Sequence, residues 1–280
     1  MPVTEVQISG GRAAVTYDVT GSGPGLVLVH GTGASREQWL PVTEAVTDRF
    51  TVVTPDYSGS GGTTDHGGPL TLADLADEVL AAAQHAGLDR FHLVGHSLGA
   101  VVATQLAATH PERVRSLGLH AGWAWTDTRM AAEFRYWLTL LRAETRPTLF
   151  ARMLPQIAFG PGYWARTTVE ANEELVDQLV ELLAPGTARH VEVDLAVDVR
   201  PLLGRVTAPT LVLASAHDQV VPAAQQQALL AAIPDARYAE IDAGHGAPAE
   251  DPAGFAAKLA SFLDEQLQSS GAKGPFTPSY

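Results

Sequence analysis

Ser97 stands between Gly95 and Gly99, after the apolar stretch 91–96 and before the small-residue run 100–108. A strand that reverses directly into a helix leaves the residue at its tip in a strained conformation. The residues two positions to either side then face each other across the turn, and only small side chains fit there. Such a turn lifts one hydroxyl clear of the backbone and sets it at a helix N-terminus, where developing negative charge is favoured. A serine hydroxyl is a weak nucleophile near neutral pH and needs a base within hydrogen-bond reach. Imidazole suits this task, and a buried carboxylate fixes its tautomer and stabilises its charged form. The chain has ten histidines and no cysteine, so thiol nucleophiles, thiolate metal sites and disulfides are excluded.

The elements around Ser97 follow a regular rhythm. Residues 3–9 and 12–19 mix β-branched and polar residues about Gly10-Gly11, a hairpin pattern. Residues 26–30 and 50–54 are short and apolar throughout, as strands buried on both faces are. A helix is expected between them, from about 36 to 48. Thr71 caps an amphipathic helix whose Leu72, Leu75, Val79 and Leu80 share a face, and Gly87 ends it. Strands at 91–96, 114–120, 210–214 and 236–241 and helices at about 223–232 and 252–266 complete the series. Such alternation implies a mostly parallel sheet covered by helices on both faces. Ligands of these sheets sit beyond the carboxyl ends of the strands. His30, Asp56, Ser97, Asp218 and His245 all fall at such ends.

These residues together resemble the α/β-hydrolase fold family. The resemblance rests on Gly95-His96-Ser97-Leu98-Gly99, on His30-Gly31-Thr32-Gly33, and on Asp56-Tyr57-Ser58-Gly59-Ser60-Gly61, in which Tyr57 replaces the family's usual arginine. It implies an eight-stranded, mostly parallel α/β sheet with an inserted helical cap. It also implies nucleophile, acid and base in the chain order Ser97, Asp218, His245. Some members take the acid from the end of the preceding strand, which makes Asp127 a rival to Asp218; Asp194 and Asp198 are weaker competitors. The oxyanion donors implied are the backbone N–H groups of Thr32 and Leu98. Asp56 is expected to brace the loop that carries Thr32, and His30, His96 and His217 to hold loops. Haloalkane dehalogenases and epoxide hydrolases of this fold carry aspartate at the position of Ser97, which sets both apart from this chain.

Between 122 and 204 the alternation disappears and aromatic residues gather, with Pro/Gly breaks near 146–147, 160–162 and 185–186. The expected organisation is a core of 1–121 and 205–268, a helical cap of 122–204 and a flexible tail of 269–280. Trp123, Trp125, Tyr136 and Trp137 are candidate substrate contacts for an apolar or ring-containing ligand. Packing the cap helices together is an equal role for them.

The formal net charge of −13 argues against nucleic acid and anionic membranes as partners, since both need basic patches. No apolar run reaches the length of a membrane span and no basic-then-apolar leader opens the sequence, so a cytoplasmic protein is expected. Arginine far outnumbers lysine, as in GC-rich bacterial genomes. No histidine pair has metal-ligand spacing with carboxylates nearby, and no phosphate loop is present, so neither metal nor cofactor is expected. The expected partner is a small-molecule substrate, with a homodimer as a possible assembly. The reading is a serine hydrolase that cleaves an ester, lactone or thioester through an acyl-enzyme. The same fold also hosts perhydrolases, carbon–carbon bond hydrolases, acyl transferases and non-hydrolytic cyclases or lyases. A ligand receptor that keeps the three residues is the reading of another class.

Overall fold

Eight strands form one sheet: β1 (Val3–Ile8), β2 (Gly11–Gly21), β3 (Gly25–Val29), β4 (Thr51–Pro55), β5 (Phe91–His96), β6 (Val114–His120), β7 (Thr210–Ser215) and β8 (Ala236–Ile241). The computed structural model describes residues 1–143 and 147–271, with side chains as far as 268 at the carboxyl end. The strand order is β1-β2-β4-β3-β5-β6-β7-β8. β1 pairs antiparallel with β2 and β2 with β4; every other pairing is parallel.

The central strands are buried from end to end because both faces are covered. Successive side chains of β3 sort accordingly: Val27 and Val29 join one hydrophobic core, Leu26 and Leu28 the other. The helices Leu72–His85 and Leu98–Thr109 cover the first face, and Pro252–Gly271 the second. Thr71 and Asp74 close a reciprocal capping box at the start of Leu72–His85. Asp74 also accepts from the backbone N–H (2.7 Å) and hydroxyl (2.8 Å) of Ser9, which ties this helix to the β1–β2 turn.

The single helix expected over 36–48 is not formed. A 3-10 turn, Arg36–Trp39, leads into one α-turn, Leu40–Thr43, and then into further turns. Pro41 has no N–H to continue a ladder begun at Arg36. The Thr43 hydroxyl bonds the Trp39 carbonyl at 2.8 Å, and Ala45 and Val46 bond three residues back rather than four. Trp39, fully buried against Phe255, anchors the segment instead.

Between β6 and β7 the chain forms the helices Thr128–Ala143, Thr148–Ala158, Pro161–Trp164, Val169–Leu182, Thr187–Ala196 and Arg200–Leu203. Of the tail expected at 269–280, residues 269–271 continue the last helix and the rest lies outside the described residues. Arg146, in one of the expected breaks, also lies outside them.

The tightest backbone approaches are at β5. A Cβ on Gly95 would stand 2.1 Å from the Gly99 carbonyl oxygen, and one on Gly99 2.2 Å from that of Val29. Gly95→Ala and Gly99→Ala are each expected to lower the melting temperature, followed by circular dichroism, by roughly 10 °C or more. Gly204→Ala, where a Cβ meets nothing within 4 Å, is the control and should leave it nearly unchanged.

Candidate active site

Ser97 occupies the turn between β5 and the helix Leu98–Thr109 with φ 54° and ψ −123°, a region that residues with a Cβ rarely adopt. The turn is over-determined. The Ser97 N–H donates to the His120 carbonyl at 2.9 Å, its carbonyl accepts from Ala100 at 2.8 Å, and the two glycines let helix and strand touch.

Ser97 Oγ lies 3.0 Å from His245 Nε2. His245 Nδ1 lies 2.9 and 3.1 Å from the two carboxylate oxygens of Asp218. Asp218 can only accept when ionised, which assigns the proton to Nδ1 and leaves Nε2 free to accept from the serine hydroxyl. Burial by itself would raise the Asp218 carboxyl. The adjacent His245 and the N–H of Val221 overcome this and hold it below the usual carboxylate range.

The loop carrying His245 is pinned by residues that sequence reasoning missed. One carboxylate oxygen of Glu250 accepts from the N–H of Gly244 (2.8 Å) and from that of Gly160 (2.9 Å). Gly246 N–H donates to the Ala158 carbonyl at 2.7 Å. A Cβ on Gly244 would fall 2.4 Å from that same carbonyl oxygen, so the close approach requires glycine. No motif marks Glu250; only the fold brings these segments together.

The rival carboxylates are engaged elsewhere. Asp127 accepts from Met130 N–H (2.9 Å) at the start of Thr128–Ala143 and from the Gln225 amide (3.2 Å). Asp198 is paired with Arg200 at 2.6 Å. Asp194 accepts from the Thr32 hydroxyl at 2.8 Å.

The 30–33 loop faces Ser97 closely: a Cβ on Gly31 would stand 3.3 Å from that of Ser97. The Tyr57 hydroxyl reaches the carbonyls of His30 (3.1 Å) and Gly31 (3.0 Å), so the tyrosine that replaces the family's arginine supports this loop. Asp56 accepts from Arg36 N–H at 2.7 Å and forms an ion pair with its guanidinium just beyond the loop. His190 Nδ1 accepts from Gly33 N–H (3.2 Å) while its Nε2 donates to the Ser58 carbonyl (2.8 Å). His190 and Asp194 are four residues apart on one helix, so a single helix face grips the loop at two points. The N–H groups of Thr32 and Leu98 donate to no acceptor among the described residues.

Two histidines behind the site are neutral. Burial, then repulsion from His120, His245 and His30, pushes His96 well down; burial, then His245, pushes His120 down to about 3. They bond each other through their Nδ1 atoms at 2.8 Å, and His120 Nε2 reaches Ser215 Oγ at 2.9 Å. His30, also neutral, stacks on Tyr57 at 3.9 Å. His217 pairs with the exposed Asp242.

A cavity of about 200 Å³ opens over Ser97 and His245, with Phe150, Leu154, Ile157, Phe159, Leu179 and Val220 on its wall. Of the four candidate aromatic contacts only Trp137 lines it. Trp123 is buried against Phe134 and spends its indole N–H on Thr126 at 3.0 Å. Trp125 lies beneath the Arg200 guanidinium, 5.0 Å from its ring centre. Tyr136 is 55% exposed, because one residue of helix turns it about 100° away from Trp137. Gln38 lines the cavity and was not foreseen.

The sheet and the hydrogen-bonded Ser-His-Asp arrangement at its strand ends are those of a hydrolase of α/β fold. A family model for the alpha/beta hydrolase fold matches residues 24–252, and the chain belongs to that family. It is 38% identical over 260 residues to a pyrrolizixenacetamide deacetylase from Xenorhabdus hominickii, covering 92% of this chain and 97% of that protein. Among solved structures it is similar to a hydrolase from Pseudomonas aeruginosa PA01, with TM-score 0.81 and 28% identity over 93% of this chain and 98% of that one. An enol-lactonase from Burkholderia xenovorans LB400 gives TM-score 0.78 and 26% identity over 93% of this chain and 100% of that one. No helix among the described residues is long and apolar enough to cross a membrane.

Two buried carboxyls beside the loop give a test by pH. Burial pushes Asp194 up to about 8 against its one bond from Thr32, and Glu78 up to about 7 against its bonds from Ser58. Both bind a proton more tightly folded than unfolded. Their stabilisation is complete below ordinary carboxylate pKa values and is lost as pH rises through about 7 and 8. The melting temperature is expected to fall by roughly 5 °C between pH 6 and 9. Asp194→Asn, which keeps an acceptor for Thr32 and cannot ionise, should flatten part of that fall. An unchanged slope in thermal unfolding would show that Asp194 is already ionised at pH 6.

Proposed function

We propose that this chain is a serine hydrolase that cleaves a compact, mostly apolar ester or amide through an acyl-enzyme. One observation carries the reading: the Ser97 hydroxyl, held at a positive φ over a cavity, lies 3.0 Å from an imidazole that a buried carboxylate orients. Ser97 Oγ attacks the substrate carbonyl carbon while His245 Nε2 takes its proton. The N–H groups of Thr32 and Leu98 receive the oxygen as it becomes negative. His245 then returns the proton to the departing alcohol or amine. A water attacks the acyl-serine with His245 as base, and Ser97 leaves with its proton restored. Asp218 stays ionised throughout and stabilises the imidazolium.

The cavity is smaller than the 300–1,000 Å³ of sites for drug-sized ligands, which supports a compact substrate. The helices between β6 and β7 supply most of its apolar wall and act as a cap over the nucleophile. The deacetylase relative, named for an acetamide, supports including amides with small acyl groups among the substrates.

Ser97→Ala is expected to lower turnover of a small 4-nitrophenyl ester roughly a million-fold, and a fluorophosphonate probe should label the wild type and not the variant. Turnover close to wild type in Ser97→Ala would end the acyl-enzyme reading. The acid is tested separately. Asp218→Asn should lower kcat roughly 10,000-fold, whereas Asp127→Asn should change it less than about threefold. The reverse order would transfer the role to Asp127.

A further inference from the structure

The acid has support that the proposed mechanism does not use. Asp218 is a buried carboxylate whose two oxygens divide their partners. Oδ2 lies 2.9 Å from His245 Nδ1. Oδ1, farther from that nitrogen at 3.1 Å, accepts from the N–H of Val220 at 2.9 Å and from that of Val221 at 2.8 Å. The turn 219–221 therefore sets how the carboxylate is rotated, and with it which oxygen meets the imidazole.

That turn is held from its other side by a residue of the inserted helices. Arg129, in the first turn of Thr128–Ala143, donates through Nη1 to the Val220 carbonyl at 2.6 Å and through Nη2 to the Gln219 carbonyl. These carbonyls belong to the same two peptide groups whose N–H bonds reach Asp218. The C=O of Gln219 and the N–H of Val220 form one peptide; the C=O of Val220 and the N–H of Val221 form the next. Both peptides are trans, so C=O and N–H point to opposite sides. Each is thus a bridge with the guanidinium on one side and the carboxylate on the other. Glu133, one turn along the helix, pairs with the guanidinium at 2.8 Å. Asp127 fixes the start of the same helix through Met130 N–H at 2.9 Å and the Gln225 amide at 3.2 Å. The Arg129 side chain is half-exposed, and an ion pair at such a site contributes little by itself. Its two carbonyl bonds are charge-assisted, and they polarise both N–H groups toward the acid.

We propose that Arg129 is a positioning residue for the acid: through the Gln219–Val220 and Val220–Val221 peptide groups it holds the Asp218 carboxylate in the rotation that presents Oδ2 to His245. The inference rests on the acyl-enzyme reading and deepens it, because it assigns part of the acid's geometry to an inserted helix. Arginine suits the place better than lysine would. Its planar fork reaches two carbonyls at once, whereas an ammonium is a point charge on a flexible stem.

The test is a double-mutant cycle on kcat for a small 4-nitrophenyl ester. Arg129→Met keeps the aliphatic stem and removes the fork, and is expected to lower kcat roughly 10- to 100-fold, as small misplacements of a reacting group do. Arg129→Lys keeps the charge without the fork and should recover only part of that loss. Asp218→Ala removes the carboxylate and should lower kcat roughly 10,000-fold or more. Adding Arg129→Met to Asp218→Ala should cost less than about threefold more, because nothing remains for the two peptides to orient. An equal loss in both backgrounds would show that Arg129 acts on the fold and not through Asp218. A loss of less than about threefold in Arg129→Met alone would show that the turn holds without it. Either result overturns the inference. If Arg129→Met does not melt cooperatively, Arg129→Lys takes its place in the cycle. The acyl-enzyme reading survives either result as long as wild-type turnover depends on Ser97. Absence of Ser97-dependent turnover in the wild type would overturn both.

Discussion

The β5 strand and the helix that follows it meet backbone to backbone, with no room for a side chain at Gly95 or Gly99. That contact fixes the position of Ser97 more firmly than any hydrogen bond. Gly99 is pressed on the Val29 carbonyl at the end of β3, so the same contact sets the start of the 30–33 loop against the serine. The parallel register of β3, β5 and β6 brings the ends of all three to one level, and β7 and β8 bring Asp218 and His245 to the same edge. Ser97, His245, Asp218 and the unbonded N–H groups of Thr32 and Leu98 converge because the sheet's carboxyl edge is the one place where all these segments leave it.

The supports around this edge come largely from the helices between β6 and β7. Thr187–Ala196 holds the 30–33 loop through His190 and Asp194, and the residues after Thr148–Ala158 meet the His245 loop through Glu250 and the Ala158 carbonyl. Such buried polar links contribute little net stability, since desolvation offsets much of each bond. What they contribute is geometry: each fixes one backbone segment of the core to one of the inserted helices.

Much of this was legible in the sequence, for identifiable reasons. Continuous apolar runs such as 26–29 have few alternatives to a buried strand, and Gly95 and Gly99 mark a turn that other residues cannot make. The segment 36–48 misled because its apolar spacing is helical while Pro41 and the Thr43 hydroxyl break the ladder locally. Trp123 and Tyr136 misled because aromatic content reveals that rings are near one another, not which way each helix is rotated. Gln38, Asp194, His190 and Glu250 carry no signature at all. Gln38 and Glu250 each have one partner close in the chain, Gly31 and Gly244, but Asp194, His190 and Glu250 also bond Thr32, Gly33 and Gly160, which lie 162, 157 and 90 residues away.

The grip of one inserted helix on the 30–33 loop has a consequence for how a ligand enters. A cap free to swing as a rigid lid would pull Thr32 with it, since the Thr32 hydroxyl and the Gly33 N–H are both bonded to Thr187–Ala196. On the proposed mechanism an opened lid would therefore also be a dismantled oxyanion site. Entry by rotation of Leu154 and Ile157 on Thr148–Ala158 leaves that site intact. The apolar side chains over Ser97 and the bonds that hold the 30–33 loop thus belong to different helices, so the first can move without breaking the second.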